Sequence, residues 1–170
     1  MELTNREFWT LVHGLIIGSA FLLAFAGGLA GLYSLRTELV TPAGLAERLR
    51  RLKIGVSAMA IAAWATVLTG TYIVYPWYRE GVPTSARSTL LADPSTADWH
   101  KFGMEWKEHI AWISPMLATV AAFLVIYYGA SLARNPKLRR ITTVVFVAAF
   151  AVAAVAGIFG ALITKAAAVK

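Results

Sequence analysis

An all-α integral membrane fold, a bundle of four transmembrane helices forming one domain over residues 1–170, follows from three observations. Four runs free of charged residues each exceed the ~20 residues that cross a bilayer as a helix. The chain is 58% apolar and only 15% charged, against roughly 25% charged in soluble domains. The basic residues behind the net charge of +7 crowd into two short loops between apolar runs, the pattern of cytoplasmic loops in membrane proteins. Strands are excluded because a spanning strand is shorter and alternating. So much apolar side chain also excludes disorder.

The first span runs from Phe8 to Leu35. It is too long for the apolar part of a signal peptide, and its leading segment mixes Glu2, Arg6 and Glu7 where a leader is basic. The loop after it carries Arg36, Arg48, Arg50, Arg51 and Lys53, and the second span runs from Ile54 to Tyr78. Residues 79–105 form the only sizeable loop. Gly81, Pro83 and Pro94 predict an irregular first half. From Asp93 onward Trp99, Phe102, Trp106, Ile110 and Ile113 recur at helical spacing, so the third helix starts early, and the span is set at about 106–133. Arg134, Lys137, Arg139 and Arg140 follow, and the fourth span runs from Ile141 to Thr164. The Lys and Arg distribution puts both termini and the 79–105 loop outside. With a bacterial chain, that is the periplasmic side of the inner membrane. Trp9, Trp77, Tyr78, Trp99, Trp106 and Trp112 form the aromatic belt of that side.

The two hairpins resemble each other. Ser34-Leu35-Arg36 is echoed by Ser131-Leu132-Ala133-Arg134, and Leu49-Arg50-Arg51 by Leu138-Arg139-Arg140. Two repeated hairpins of equal topology are the expectation. The pairs Gly14-xxx-Gly18 and Gly27-xxx-Gly31 read as helix-packing faces.

Few groups are able to do chemistry. There is no Cys, so disulfides, thiolate metal sites and Cys nucleophiles are excluded. No phosphate-cradling glycine loop or nucleophile elbow is present, and no span carries a mid-depth charge as transporters do. Nucleic acid is excluded because the charge has a membrane explanation and no basic stripe interleaves with aromatics.

Three His remain. His13 lies 23 residues before Arg36, and His109 lies 25 before Arg134. At ~1.5 Å per residue the two differ in height by about 3 Å. A planar metallomacrocycle with two axial ligands needs two imidazoles at equal depth on different helices, and helix bundles commonly hold such groups. His13 and His109 are therefore the candidate axial ligands of one haem b, with iron as the metal. Arg79 and Lys165, at a similar height, are candidates to pair with its propionates. Gly14 leaves room beside His13 for a flat group. Met104 and Met116 are weaker ligands. His100 is expected in the outer interface or in water. Glu105, four residues before His109, is the candidate to orient its imidazole. Tyr72, Tyr75 and Trp77 are candidate walls for a quinone.

The stretch Arg6…Trp9…His13-Gly14-Leu15, continuing to Gly27-Gly28-Leu29, resembles the first helix of the membrane-bound b-type cytochromes, the bacterial cytochrome b561 and hydrogenase cytochrome b group. The resemblance covers one span. It implies electron transfer between membrane quinone, or other subunits of a redox complex, and a periplasmic partner. Spans two and four hold no His, so the two-haem, four-His pattern of that group is absent and one haem on the outer side is implied. Two other readings stand beside it: a cofactor-free structural subunit of a larger membrane complex, and a small protein with a non-haem metal near Glu105 and His109.

Overall fold

The computed structural model describes residues 2–36 and 39–168. It is helical throughout, with no strand among the described residues. Four helices are long and apolar enough to cross a membrane: α1 (Asn5–Ser34), α2 (Ala43–Tyr78), α4 (Trp99–Tyr128) and α5 (Pro136–Ala166). A short α3 (Ala86–Ala92) stands between α2 and α4.

The helix ends differ from the charge-free runs for local reasons. α1 starts at Asn5 because Thr4 and Glu7 form a reciprocal cap. The Glu7 N–H donates to Thr4 Oγ1 and the Thr4 N–H to Glu7 Oε2. α2 extends far ahead of Ile54 because basic residues are good helix formers, and Glu47 pairs with Arg50 and Arg51 within the same turns. Gly129, at φ 45°, follows the last residue of α4. Only glycine adopts that conformation without strain, so the third span stops at Tyr128 and a separate turn covers Ser131–Arg134. Asn135 Oδ1 then accepts from the Leu138 N–H, and Pro136 takes the first helical position of α5.

The expectation of an irregular first half for the 79–105 loop is corrected. α3 forms there because Ser85 caps it, accepting from the Ser88 N–H at 3.2 Å, and because Ala86 and Leu90, one turn apart, are both buried.

The chain divides into two compact units, each holding a part of all four long helices. One comprises Ala20–Ala63 and Ile113–Ala151, and its interior is apolar. Phe25 stacks on Phe150 at 3.8 Å between ring centroids and on Phe146 at 5.4 Å. Gly28 lets Phe146 lie against α1, since a Cβ at that position would stand 2.5 Å from the Phe146 ring. A Cβ at Gly55 would stand 3.5 Å from the Gly28 backbone nitrogen. The packing face within the chain is therefore Gly28 and Gly31. This corrects the face expected from Gly14, Gly18 and Gly27, where an added methyl would have nothing within 4 Å. One buried hydrogen bond joins two helices here, from Ser114 Oγ to the Ala149 carbonyl at 2.8 Å. At the basic end Arg48 donates to the Ser34 carbonyl, and Arg139 to those of Leu35, Leu132 and Ala133. Arg48 of α2 thus satisfies an orphan carbonyl at the end of α1, and Arg139 of α5 serves the next carbonyl along and two of the Ser131–Arg134 turn.

The other unit comprises Met1–Ser19, Trp64–Trp112 and Val152–Lys170. It holds all six tryptophans and all three histidines. Its core packs Tyr78 with Ala86, Leu90, Met104, Ile163 and Ala167.

Candidate functional site

The second unit contains three stretches of π-helix: Val12–Ile16 in α1, Gly70–Val74 at the end of α2, and Trp99–Met104 at the start of α4. π-Turns widen the helix, leave carbonyls without their usual partners and recur at functional sites. Here the first holds His13, the second begins at the glycine that His13 touches, and the third holds His100.

His13 is half-buried. Its Nδ1 lies 3.0 Å from Thr69 Oγ1. The Thr69 hydroxyl gives its own proton to the Ala65 carbonyl at 2.7 Å, so Thr69 accepts and His13 Nδ1 is the donor. In the neutral imidazole Nε2 then carries the lone pair. The ring stands against Gly70, where a Cβ would come within 2.8 Å of His13 Cε1. The glycine is required for the ring to lie where it does.

His109 follows the same rule with different surroundings. Its Nδ1 donates to the Glu105 carbonyl at 3.0 Å, which in the neutral imidazole again puts the lone pair on Nε2. The Glu105 carboxylate is 3.5 Å away, so Glu105 orients this ring chiefly through its backbone. The side chain is 68% exposed. His13 is thus held by α2, while His109 is held by its own helix on an exposed face.

His100 is the residue that sequence reasoning misplaced. Expected in the interface or in water, it is buried, at 7% exposure. Its Nδ1 is 2.9 Å from Tyr78 Oη, and Arg87 Nε donates to its Nε2 at 3.4 Å. An arginine N–H cannot accept, so Nε2 accepts and Nδ1 holds the proton. Both nitrogens are engaged, and His100 offers no free ligand atom. Counting height along a helix gives depth only, whereas burial here comes from α3, whose Arg87 side chain reaches the ring. The signal available in the sequence was the apolar pair Ala86 and Leu90 at helical spacing.

The other expected residues are dispersed. Arg79 donates to the Tyr75 hydroxyl at 2.6 Å and lies 3.8 Å from Glu108 Oε2, so it is already paired. Lys165 is exposed in the last turn of α5. Gly14 faces open space. Met104 is buried against Tyr78, and Met116 is 52% exposed. Tyr72 is 70% exposed, whereas Tyr75 stacks on Tyr78. Among the described residues no three His, Asp or Glu side chains are grouped to hold a metal ion, so Glu105 and His109 are not joined by the third ligand that a non-haem site needs.

Two features went unforeseen. Arg6 and Glu80 form a two-pronged ion pair at 2.7 and 3.0 Å, with the Arg6 guanidinium also over the Trp77 ring, which fastens the start of α1 to the chain beyond α2. Trp106 Nε1 and Glu108 Oε1 are buried without a hydrogen-bond partner. No family model matches the chain, and no curated protein or solved structure is similar enough to lend it a family or a function.

Proposed function

We propose that the chain is a membrane electron-transfer subunit that holds one b-type haem and works within a larger redox assembly of the bacterial inner membrane. The observation that supports this reading is the state of two imidazoles. His13 and His109 each donate Nδ1–H to an oxygen, so that in the neutral imidazole the lone pair is on Nε2, as in ligating histidines whose tautomer an outer partner fixes. The haem would supply a one-electron couple, its potential set by axial ligation and burial. The chain's own residues perform the positioning: Thr69 and Gly70 set the His13 ring, and the Glu105 carbonyl sets that of His109. Lys165, exposed and cationic, is the residue left to meet a propionate, since Arg79 is held by Tyr75 and Glu108. Because His109 is exposed, a group bound there would be covered by a partner subunit rather than by this chain. Electrons would pass between quinone and a periplasmic partner, with both termini and residues 79–105 on the outer side as the basic loops require.

A cofactor-free structural subunit is the second reading. It is favoured by the same exposure of His109 and by the open space over Gly14 and Gly18, which a neighbouring helix would fill. A dithionite-reduced minus oxidised spectrum of the native assembly, with a pyridine haemochrome assay, separates them. About one b-type haem per chain, lost in both His13→Ala and His109→Ala, is the expected result. A colourless assembly from haem-replete cells leaves the structural reading in its place.

A further inference from the structure

A shallow, open groove of about 530 Å³ lies on the surface of the apolar unit, lined by Lys53, Ile54, Ser57, Ala58 and Ile61 of α2 and by Ile126 of α4. Its lining residues on α2 are three to four apart, so they form one face, and eight residues from Lys53 to Ile61 span about 12 Å along the axis. Their chemistry changes in order along that line. Lys53 stands at the end where the basic loop begins. Ser57 lies one turn further in. Ala58, Ile61 and Ile126 follow, with Ile61 69% and Ile126 51% exposed.

Neither polar group is used by another described residue. Lys53 makes no hydrogen bond or ion pair with a described residue, and Ser57 Oγ donates to none of them. The nearest acid in sequence, Glu47, is fully engaged by Arg50 and Arg51, so no carboxylate among the described residues answers the Lys53 charge. An ammonium needs an anion or water, and beyond the Ser57 hydroxyl the groove offers only apolar side chains. The sequence of cation, hydroxyl and apolar wall matches phosphate, ester and acyl chain in one amphiphile.

We propose that this groove binds a single anionic phospholipid, with its phosphate on Lys53, its glycerol-ester region beside Ser57 and one acyl chain along Ala58, Ile61 and Ile126. The proposal rests on the reading of α2 as a membrane span. It does not depend on the haem.

The test is a titration of the detergent-purified chain with phosphatidylglycerol and with phosphatidylcholine of identical acyl chains, read by native mass spectrometry. Phosphatidylglycerol is expected to bind more tightly. Lys53→Gln is expected to weaken it about tenfold, the scale of one charge-assisted contact, and to leave phosphatidylcholine unchanged. Lys53→Arg keeps the preference. Ala58→Phe, which puts a ring across the acyl-chain path, weakens both lipids. Arg51→Gln, a cation outside the groove, changes neither. Equal binding of the two lipids, a preference that survives Lys53→Gln, or an Ala58→Phe variant that binds as before would each overturn the site. Circular dichroism of each variant confirms that the helices persist. Alkaline extraction of native membranes separates the two levels: a chain released into the supernatant defeats the membrane reading itself, whereas a retained chain without lipid preference defeats only the groove.

Discussion

Tyr78 and His100 are hydrogen-bonded side chain to side chain at 2.9 Å, and both are buried, at 2% and 7% exposure. One ends α2 and the other opens α4, so the bond fixes how the chain leaves one long helix and enters the next. Arg87 of α3 closes the set on the far nitrogen of the imidazole. Tyr78→Phe keeps the ring and removes only the hydroxyl, leaving a buried N–H unsatisfied. The expected cost is about 1–3 kcal/mol, read as a lower unfolding midpoint in detergent. His100→Ala should cost more, because it opens a cavity as well. In a double-mutant cycle the two losses should not add; simple additivity would show the bond contributes nothing.

Gly28→Ala tests the packing of the apolar unit. The added methyl would stand 2.5 Å from Phe146, whose ring is fully buried and stacked on Phe25. With no room for the ring to yield, the loss should be about 1–3 kcal/mol. Gly27→Ala, one residue away with open space above it, should be neutral within about 0.5 kcal/mol. Thermal unfolding of the two variants side by side decides it.

Gly70→Ala addresses His13 without touching it. The new methyl would press within 2.8 Å of the imidazole and turn it away from Thr69. Where a haem signal is present in the native assembly, this variant should lose or shift it while helix content is unchanged. An unaltered spectrum would remove His13 from the ligand set.

Arg139→Ala removes a cation that serves three carbonyls at the ends of α1 and the Ser131–Arg134 turn. Hydrogen bonds to a charged donor contribute about 1.5–3 kcal/mol, so this variant should be clearly less stable. Arg6→Ala breaks a half-exposed surface pair and should cost no more than about 1 kcal/mol, with a loss that shrinks as salt is added.

Asp93 supplies a pH-dependent term outside the spans. Its carboxylate accepts from the Ser95 hydroxyl and the Ser95 backbone N–H, both at 2.8 Å, and these bonds hold its pKa below the ordinary 3.8. A lowered folded-state value means that the contribution is complete above the unfolded value and disappears as pH falls through the folded one. Ser95→Ala should move the carboxyl resonance titration upward in an NMR pH series. No movement would show that the hydroxyl is not the cause.

The sequence by itself determined the four long helices, because apolar runs of about twenty residues are long enough to cross a membrane and, placed in lipid, would leave the backbone no alternative to a helix. It also predicted the basic ends and matched counts from His13 and His109 to the basic loops, but the π-turn at Val12–Ile16 and the break at Gly129 interrupt the constant rise on which equal heights depend. Their directions were beyond it. His13 and His109 are equivalent by count, yet one ring is held by the neighbouring helix and the other lies on an exposed face. Rotation about a helix axis depends on π-turns and on which glycine meets which side chain. Gly70 and Gly28 carry contacts while Gly14 and Gly18 carry none, although all four read alike in the sequence. His100 was misjudged for the same reason. Its burial is produced by α3, a seven-residue helix whose apolar periodicity amounts to the single pair Ala86 and Leu90, and only the tertiary structure brings Arg87 and Tyr78 to its two nitrogens.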